Sequence, residues 1–291
     1  MFKGSLVALI TPFRDGAVDE TAFQEHVAWQ IGQGTHGLVP IGTTGECPAL
    51  EEEEQERLIA LTVEVAKGRA PVIAGTGFNS TAHTIRATKA AKKAGADAAL
   101  VVCPYYNKPT QEGLYHHFKA VHDAVDMPIV IYNIPGRSAV DMSNATMARL
   151  AKLPNIVGVK DATNDLVRFL KMWVEIEGEF CLLSGEDATA VAYLAQGGDG
   201  VISVTANVAP GLCSEMHEAW QKGDIATVRQ INERLIPLHD ALFVETSPAP
   251  VKYAASLLGR CTAEVRQPLW QILPETQEKV RKAMRSAGLI N

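Results

Sequence analysis

Short runs rich in valine, isoleucine and alanine alternate with amphipathic stretches along most of this 291-residue chain. Each run is bounded by turn-forming residues and predicts a buried strand. The eight predicted strands are Ser5 to Ile10, Gly37 to Ile41, Pro71 to Gly75, Ala98 to Cys103, Pro128 to Tyr132, Ile156 to Lys160, Phe180 to Ser184 and Gly200 to Val204. Helical patterns lie between them, among them Glu51 to Ala66, Thr81 to Ala94, Glu112 to Ala124 and Asp187 to Ala195. This alternation predicts a parallel sheet with helices on both faces.

Eight strand-helix units in about 220 residues match the count and size of a closed (β/α)8 barrel. A doubly wound open sheet is the alternative, but its first strand would usually be followed by a glycine-rich phosphate loop, and this chain has Thr11-Pro12-Phe13 there. From Asp224 onward the pattern is helical only. We therefore predict a (β/α)8 catalytic barrel over residues 1–223 and a C-terminal helical region over residues 224–291 that packs on the barrel.

Composition excludes several classes of partner. The formal net charge is -6, so the chain lacks the basic surface that nucleic acids or anionic membranes attract. No stretch approaches the roughly 20 apolar residues of a membrane-spanning helix, and the N-terminus has no signal-peptide pattern. The five cysteines are scattered without a CxxC spacing, which is typical of reduced thiols in a cytosolic protein.

Lys160 ends one of the most apolar predicted strands. Burial disfavours the ammonium form and lowers the pKa of a lysine, and the neutral amine is a nucleophile that forms Schiff bases with carbonyl substrates. The alternative is that Lys160 reaches into water and pairs with Asp161. Because perturbed groups cluster at functional sites, the segment alone leaves both interpretations open.

Other polar residues fall at predicted strand ends, where barrel active sites lie. Thr43 and Thr44 stand in a Gly-flanked turn that can present amides and hydroxyls to a carboxylate, although an ordinary helix-capping turn would look the same. Tyr132 can exchange protons with a neighbouring intermediate, or be a core tyrosine. Arg137 can bind a carboxylate in a bidentate manner, or form a surface ion pair.

Metal and phosphate chemistry have little support. His116 and His117 are adjacent and therefore point apart on a helix, and no Asp, Glu or His set around them has ligand spacing. No Walker loop occurs. We expect neither a metal nor a cofactor.

Two segments resemble the signatures of the pyruvate-dependent class I aldolases, the family of dihydrodipicolinate synthases and N-acetylneuraminate lyases. The first runs from Gly37 to Glu46, and the second joins Tyr132-Asn133-Ile134-Pro135-Gly136-Arg137 to Val157-Gly158-Val159-Lys160-Asp161-Ala162. The resemblance covers the whole chain and is strongest to the dihydrodipicolinate synthases, because of the Thr-Thr turn, Tyr106 and Arg137. It implies a lyase that condenses pyruvate with L-aspartate 4-semialdehyde to 4-hydroxy-tetrahydrodipicolinate in lysine and diaminopimelate biosynthesis.

The resemblance also implies catalytic roles. Lys160 would form the Schiff base with pyruvate, and Tyr132 would donate and accept protons. Thr43 would link Tyr132 to Tyr106, which the neighbouring subunit donates in this family. A homotetramer built as a dimer of dimers is therefore expected.

Substrate-binding roles follow in the same way. Thr44 would hold the pyruvate carboxylate, and Gly185 and Ile202 would line the pyruvate pocket. Arg137 would receive the semialdehyde.

The resemblance fails at one regulatory position. Many family members bind inhibitory lysine through an Asn, a Glu and a Tyr; this chain keeps Asn79 and Tyr105 but has His83 in place of the Glu. A histidine would repel the ammonium groups that a carboxylate attracts. We therefore predict weak or absent inhibition by lysine.

Three other functions remain open. The same chemistry can act on another aldehyde, as in the sugar-acid aldolases. A non-catalytic pyruvate-binding homologue is less favoured, because Lys160, Tyr132 and Thr43 are all present. A phosphate-binding barrel would want a glycine-rich site after strands seven and eight, for which Gly185 and Gly197-Gly198 are faint candidates.

Overall fold

Ten strands occur in the computed structural model, which describes residues 1–291. In chain order they are β1 (Gly4–Ala8), β2 (Phe13–Arg14), β3 (Ala17–Val18), β4 (Gly37–Val39), β5 (Ile73–Gly75), β6 (Ala98–Val102), β7 (Ile129–Asn133), β8 (Ile156–Asp161), β9 (Cys181–Ser184) and β10 (Gly200–Ser203). Eight of them form one parallel sheet in the order β4-β1-β10-β9-β8-β7-β6-β5. A parallel bridge between Leu38 and Val72 joins the two ends and closes the barrel.

Twelve helices surround and extend this sheet. They are α1 (Glu20–Gly32), α2 (Glu52–Ala66), α3 (Thr81–Ala94), α4 (Gln111–Ala124), α5 (Pro135–Ser138), α6 (Asn144–Ala151), α7 (Leu166–Glu175), α8 (Ala190–Ala195), α9 (Pro210–Gln221), α10 (Ile225–Ala241), α11 (Ala249–Leu257) and α12 (Pro274–Ser286). Side chains that accept backbone N–H bonds cap several N-termini, as Ser80 does for α3 and Thr110 for α4. The fold is the predicted (β/α)8 barrel with a C-terminal helical extension.

The core has an inner and an outer part, as strands buried on both faces require. Eleven buried residues fill the barrel interior, among them Leu6, Leu100, Tyr132 and Ile202. The outer part lies between strands and helices and comprises clusters of 39 and 20 buried residues. Apolar side chains thus fill both parts of the core.

The C-terminal helices share a core with the barrel. Val228, Leu235 and Val280 belong to the same buried cluster as Leu9 and Phe13. The predicted helices of this region are confirmed and no strand occurs there, but the division of the chain at residue 223 stays a prediction. No helix is long and apolar enough to cross a membrane.

Most predicted boundaries shift by one to three residues, and two of these shifts have a clear cause. The second barrel strand ends at Val39 rather than at Ile41, because Ile41 adopts a left-handed backbone conformation (φ 58°) that a strand does not accommodate. The helix predicted from Asp187 begins at Ala190, because the Asp187 carboxylate accepts hydrogen bonds from the Ser203 hydroxyl and from two backbone amides at the end of β10. The β2–β3 hairpin, which turns at Asp15 and Gly16, was not predicted.

Candidate active site

Lys160 and Tyr132 occupy paired positions on neighbouring strands. In the parallel pairing of β7 with β8, Tyr132 lies opposite Lys160. The Lys160 Nζ atom lies 4.2 Å from the centroid of the Tyr132 ring. Both side chains are buried at the carboxyl end of the barrel. The pairing of two strands, and not a flexible loop, therefore sets the geometry of a potential nucleophile and proton donor.

Lys160 is a buried amine without a counterion. Its side chain is 6 % exposed and makes no salt bridge. Burial lowers the pKa of Lys160 to about 8; the charge of Arg137 acts in the same direction and that of Asp187 opposes it. Asp161 pairs instead with Arg168, whose Nε lies 3.1 Å from the carboxylate. The alternative of an exposed Lys160–Asp161 pair is therefore wrong.

Tyr132 is buried in the protonated form. Burial raises the pKa of its hydroxyl to about 12, although the Arg137 charge and a hydrogen bond with the Thr43 side chain both lower it. A tyrosine with this pKa holds its proton near neutral pH and can donate it to a developing hydroxide or alkoxide. The structure thus brings three predicted catalytic residues, Lys160, Tyr132 and Thr43, to one place.

A single 3₁₀ turn, Thr43–Gly45, follows β4 and presents Thr43 and Thr44 at the mouth of the barrel. The turn closes through hydrogen bonds from Gly45 N to Gly42 O and from Glu46 N to Thr43 O, both 3.0 Å. On its inner side the Gly45 carbonyl accepts a 2.7 Å bond from the Thr11 hydroxyl. Thr44 is buried, so its amide and hydroxyl lie where water is scarce and an anion gains most from hydrogen bonds.

A close backbone contact between β5 and the residues before the turn also fixes the position of the turn. A Cβ atom on Gly75 would lie 1.9 Å from the Ile41 carbonyl oxygen, so only glycine fits at the end of β5. The contact explains why the chain can leave β4 abruptly and still remain packed against the barrel.

Arg137 lies on the short helix α5, directly after β7. Its guanidinium is exposed and donates a 3.2 Å hydrogen bond to the Ser247 carbonyl oxygen. It pairs with no carboxylate of the chain, so the surface ion pair considered for it is wrong. Because its charge lowers the pKa of both Lys160 and Tyr132, it acts at the same site and retains donors for an external carboxylate.

Gly185 and Ile202 lie on the opposite side of the barrel mouth. The Gly185 amide donates a 2.6 Å hydrogen bond to the Asp161 carbonyl, and a Cβ atom there would lie 2.7 Å from the Ala162 Cβ. Ile202 is buried in the inner core with Tyr132. The role of Gly185 and Ile202 in lining a pyruvate pocket stays a prediction.

Two acidic residues near Lys160 received no role from the sequence. Asp187 is buried and accepts hydrogen bonds from the Ser203 hydroxyl at 2.5 Å and from the amides of Val204 and Thr205 at 2.9 and 3.1 Å. Burial and the Asp187 charge raise the pKa of Glu186. Their position at the end of the seventh barrel strand was the available signal. Since Asp187 is satisfied by its own hydrogen bonds, it moderates the charge on Lys160 without neutralising it by contact.

Tyr106 is not brought to this site. Its ring is 88 % exposed, and its backbone has a left-handed φ of 70°. Within one chain, no packing contact accounts for a tyrosine with this exposure and backbone conformation. The predicted link from Thr43 to Tyr106 therefore stays a prediction that involves a second subunit.

The three regulatory candidates lie in the segments that follow β5 and β6: Asn79 precedes α3, His83 is in its first turn, and Tyr105 follows β6. Hydrogen bonding with the Asn79 backbone lowers the pKa of Tyr105, but burial raises it more. His83 stacks on Phe78 with ring centroids 3.7 Å apart, and its Nε2 lies 3.1 Å from a Glu52 carboxylate oxygen. His83 also lines a cavity of about 130 Å³ between α2 and α3, whose other polar lining includes Glu52, Gln55, Glu56 and Arg86; Asn79 and Tyr105 do not line it. A protonated His83 would therefore lie beside the carboxylates of Glu52 and Glu56, which line the same cavity.

The remaining candidate nucleophiles are not activated. All five cysteines are free, and burial raises the pKa of Cys47, Cys103 and Cys181 to about 12. A thiol with such a pKa is a poor nucleophile at neutral pH. No cluster of three or more His, Cys, Asp or Glu side chains is arranged to hold a metal ion. Lys160 is the one buried amine beside a proton donor.

Comparison with known proteins places these features in a family. A profile of the Dihydrodipicolinate synthetase family matches residues 1–287. The chain is 67 % identical over 290 residues to a 4-hydroxy-tetrahydrodipicolinate synthase of Rhodospirillum centenum, and 60 % identical over 291 residues to one of Parvibaculum lavamentivorans, with complete coverage of both chains in each case.

Solved structures agree with this likeness. The dihydrodipicolinate synthase of Aquifex aeolicus superposes with a TM-score of 0.97 at 45 % identity, covering 99 % of each chain. The enzyme of Acinetobacter baumannii, solved with pyruvate, superposes with a TM-score of 0.97 at 46 % identity over 100 % of each chain. A profile match over nearly the whole chain and relatives of this identity lead to one conclusion: the chain belongs to the Dihydrodipicolinate synthetase family.

Proposed function

We propose that this chain condenses pyruvate with L-aspartate 4-semialdehyde to give 4-hydroxy-tetrahydrodipicolinate, through a Schiff base on Lys160. This is a lyase activity of the class I aldolase type and a step of lysine and diaminopimelate biosynthesis. The observation on which the proposal depends is the buried, unpaired Lys160 amine, 4.2 Å from the ring of a protonated Tyr132. The names of the full-length relatives support the choice of substrates.

The reaction begins with the neutral Lys160 amine. Its pKa of about 8 leaves an appreciable neutral fraction near pH 7.5, far more than an ordinary lysine has. The amine attacks the pyruvate ketone carbon and forms a carbinolamine. Tyr132 protonates the departing hydroxyl, water leaves, and an iminium remains. The resulting Tyr132 phenolate then takes a methyl proton, which converts the iminium to an enamine and restores the phenol.

Carbon–carbon bond formation uses the same acid. The enamine carbon attacks the aldehyde carbon of the semialdehyde, and Tyr132 protonates the developing alkoxide. The amine of the semialdehyde then adds to the iminium carbon and transfers one proton to Lys160 Nζ, which departs as a neutral amine. The cyclic iminium gives its last proton to the Tyr132 phenolate. The cycle consumes both substrates, releases one water and leaves the enzyme unchanged.

Two groups hold the substrate carboxylates in this proposal. The Thr44 amide and hydroxyl bind the pyruvate carboxylate from the buried turn, and the narrow apolar wall at Gly185 and Ile202 admits only the methyl side of the small keto acid. Arg137 binds the carboxylate of the semialdehyde at the exposed rim of the site. This division explains why one anion site is buried and built from neutral donors, whereas the other is exposed and cationic.

The proposed assembly is a homotetramer, a dimer of dimers. Two exposed features support it. Tyr106 projects from one surface and is suited to complete the relay from Thr43 in a neighbouring subunit. On another surface, α7 exposes the apolar side chains of Val167, Leu170, Trp173 and Val174, the last of them 81 % exposed. Apolar exposure on this scale marks a protein contact, and the five free cysteines support a reducing, cytosolic location.

Reductive trapping tests the Schiff base. The protein is treated with pyruvate and borohydride, digested, and mapped by mass spectrometry. We expect a reduced pyruvyl imine on Lys160 and none in Lys160→Ala. Lys252 is an internal control, since it is also buried but is paired with Glu46. No adduct on the folded protein, or equal labelling of Lys252, would refute the proposal. A panel of aldehydes then separates the semialdehyde from sugar-acid substrates.

Subunit complementation tests the role of Tyr106. Tyr106→Phe damages the partner's site, whereas Lys160→Ala inactivates its own site. If Tyr106 acts across subunits, a heterodimer of these two variants contains one complete site, and mixing after reversible dissociation restores activity. If mixing gives no more activity than the separate variants, although mass spectrometry shows that heterodimers form, Tyr106 does not act in a neighbouring site.

A further inference from the structure

A second buried lysine lies next to the candidate active site and has no role in the chemistry above. Lys252, on α11, places its Nζ atom 2.7 Å from a carboxylate oxygen of Glu46. Both side chains are fully buried. The two residues are 206 positions apart in the sequence and join the C-terminal helical region to the segment after β4. Glu46 directly follows the Thr43–Gly45 turn.

The Glu46 carboxylate is fully engaged by the C-terminal region. Its second oxygen accepts a 2.9 Å hydrogen bond from the Arg266 amide. Lys252 in turn lies 4.0 Å from the centroid of the Phe13 ring, which adds a cation–π contact. Removing two charges from water costs about as much free energy as their attraction returns, so a buried ion pair adds little net stability. The arrangement that the pair specifies is then the better explanation for its presence. The arrangement that this one specifies is the position of Glu46.

The backbone of Glu46 needs such a restraint. Its φ and ψ angles are 58° and 34°, a left-handed conformation that residues with a side chain rarely adopt. In this conformation its amide closes the turn on Thr43 O at 3.0 Å, and its carbonyl accepts from Ala49 N at 2.8 Å. Glu46 therefore ends one turn and begins the next. Release of its side chain would allow the backbone to relax and would move the turn that contains Thr43 and Thr44.

Other contacts of the C-terminal region converge on the same side of the site. The Thr262 hydroxyl donates to Phe13 O at 2.7 Å, and the Ser247 carbonyl accepts from Arg137. The region thus touches β2, the turn after β4 and the helix after β7. Its ion pair with Glu46 is the one contact that is wholly buried and ionic.

We propose that Glu46 is a positioning residue for substrate binding, and that its ion pair with Lys252 holds the Thr43–Thr44 turn in the conformation that receives the pyruvate carboxylate. The inference rests on the proposed function, in which Thr44 binds that carboxylate. It gives the C-terminal helical region a direct part in forming the site. Neither Glu46 nor Lys252 touches substrate, so neither is a catalytic residue.

Variants at the pair test the inference. Glu46→Gln keeps the shape and an acceptor oxygen, and Lys252 can then lose its proton, because burial already lowers its pKa. In Glu46→Gln/Lys252→Met both charges are removed together. Glu20→Gln is the matched control, since it breaks an interhelical ion pair with Arg57 that lies at the surface, away from the turn. Circular dichroism and thermal unfolding establish that each variant is folded.

The measurement is the pyruvate concentration that gives half-maximal borohydride trapping on Lys160, together with the labelled fraction at saturation. A displaced turn weakens binding, so we expect the half-saturating concentration to rise about tenfold or more in both pair variants. The labelled fraction at saturation would fall only if folded protein were lost, so it should stay within about twofold of the wild type in both pair variants. In the Glu20→Gln control, the half-saturating concentration and the labelled fraction should both stay within about twofold of the wild type.

A double-mutant cycle with Thr44→Ala shows whether Glu46 acts through the turn. Because the turn must be in place for Thr44 to contribute, Glu46→Gln should weaken pyruvate binding far less in the Thr44→Ala background than in the wild type. Full additivity would overturn the inference, as would an unchanged half-saturating concentration in folded pair variants. Failure of both pair variants to fold would assign the ion pair to stability alone. Absence of any adduct on the wild type would instead overturn the proposed function, and this inference with it.

Discussion

The buried amine of Lys160 should make the wild-type protein less stable than a variant without it. Its pKa falls from 10.5, the ordinary value, to about 8 in the folded chain. At 1.36 kcal/mol for each pKa unit, this difference corresponds to about 3 kcal/mol against the folded state whenever the amine is protonated in both states. Methionine has a similar length and carries no charge. We therefore expect Lys160→Met to be inactive and more stable at pH 7 by about 2–3 kcal/mol, with a Tm higher by about 5 °C.

The pH dependence of this gain distinguishes desolvation from a packing effect. Between pH 8 and 10.5 the unfolded chain keeps the proton on Lys160 and the folded chain loses it. The unfolded state then binds more protons, so the stability of the wild type rises with pH across this window. The advantage of Lys160→Met should accordingly be full below pH 8 and vanish by about pH 10.5. Tyr132 and the cysteines also titrate at high pH, but both proteins share them and the difference cancels their effect.

Denaturant unfolding of both proteins at pH 7, 8.5 and 10 measures the difference directly, and subunit concentration is held fixed. Lys160→Ala is a control for size, because it removes the charge but leaves a void. If Lys160→Met is no more stable than the wild type at pH 7, or if its advantage does not change with pH, the amine is not desolvated as the structure indicates, and the account of its reactivity fails.

Four further predictions concern activity. The rate of pyruvyl imine formation at subsaturating pyruvate should rise about tenfold per pH unit below pH 8 and level off above it, and a flat profile from pH 6 to 9 would contradict a pKa near 8 for Lys160. Tyr132→Phe should lower kcat by about 10²- to 10⁴-fold while borohydride still traps some imine; near-normal turnover would exclude Tyr132 as the proton donor. Arg137→Ala should raise KM for the semialdehyde about tenfold or more and slow pyruvate trapping near neutral pH much less, through the loss of its effect on the pKa of Lys160; steady-state kinetics with each substrate varied would check this. Lysine should inhibit weakly or not at all, because His83 stands in place of a carboxylate and Glu52 is already paired with it; strong inhibition at sub-millimolar lysine in the same assay would refute this.

The fold was predictable because its signals are local. Apolar runs of strand length recur eight times with helical patterns between them, and the helix Thr81–Ala94 was predicted to the residue. The β2–β3 hairpin was missed although Asp15-Gly16 is a strong turn signal, because its strands have only two residues each. Ile41 gave no sign of its left-handed backbone, since that conformation follows from the close approach of Gly75.

Candidate site residues could be selected from the sequence, but the contacts that support them could not. Strand-end position was enough to select Lys160, Tyr132 and Arg137. The state of Lys160 was not fixed by sequence, because its neighbour Asp161 pairs with Arg168 only once α7 has packed beside β8. The contact of Glu46 with Lys252 spans 206 positions and depends on the docking of the C-terminal helices, which no local pattern encodes. In the proposed assembly the environment of Tyr106 includes a second chain, which no pattern within one chain describes.

The pairing of Tyr132 with Lys160 across two parallel strands limits how this protein can diversify. Adjacent strands lie about 4.8 Å apart, and a slip of one residue would turn one of the two side chains out of the barrel. Substitutions in the loops therefore leave the separation of nucleophile and acid untouched. Selection for a new acceptor aldehyde is free to rebuild the rim around Arg137 while Schiff-base formation continues below it. Laboratory evolution of altered substrate range should accordingly accumulate changes in the loops after the strands, and leave β7 and β8 unaltered.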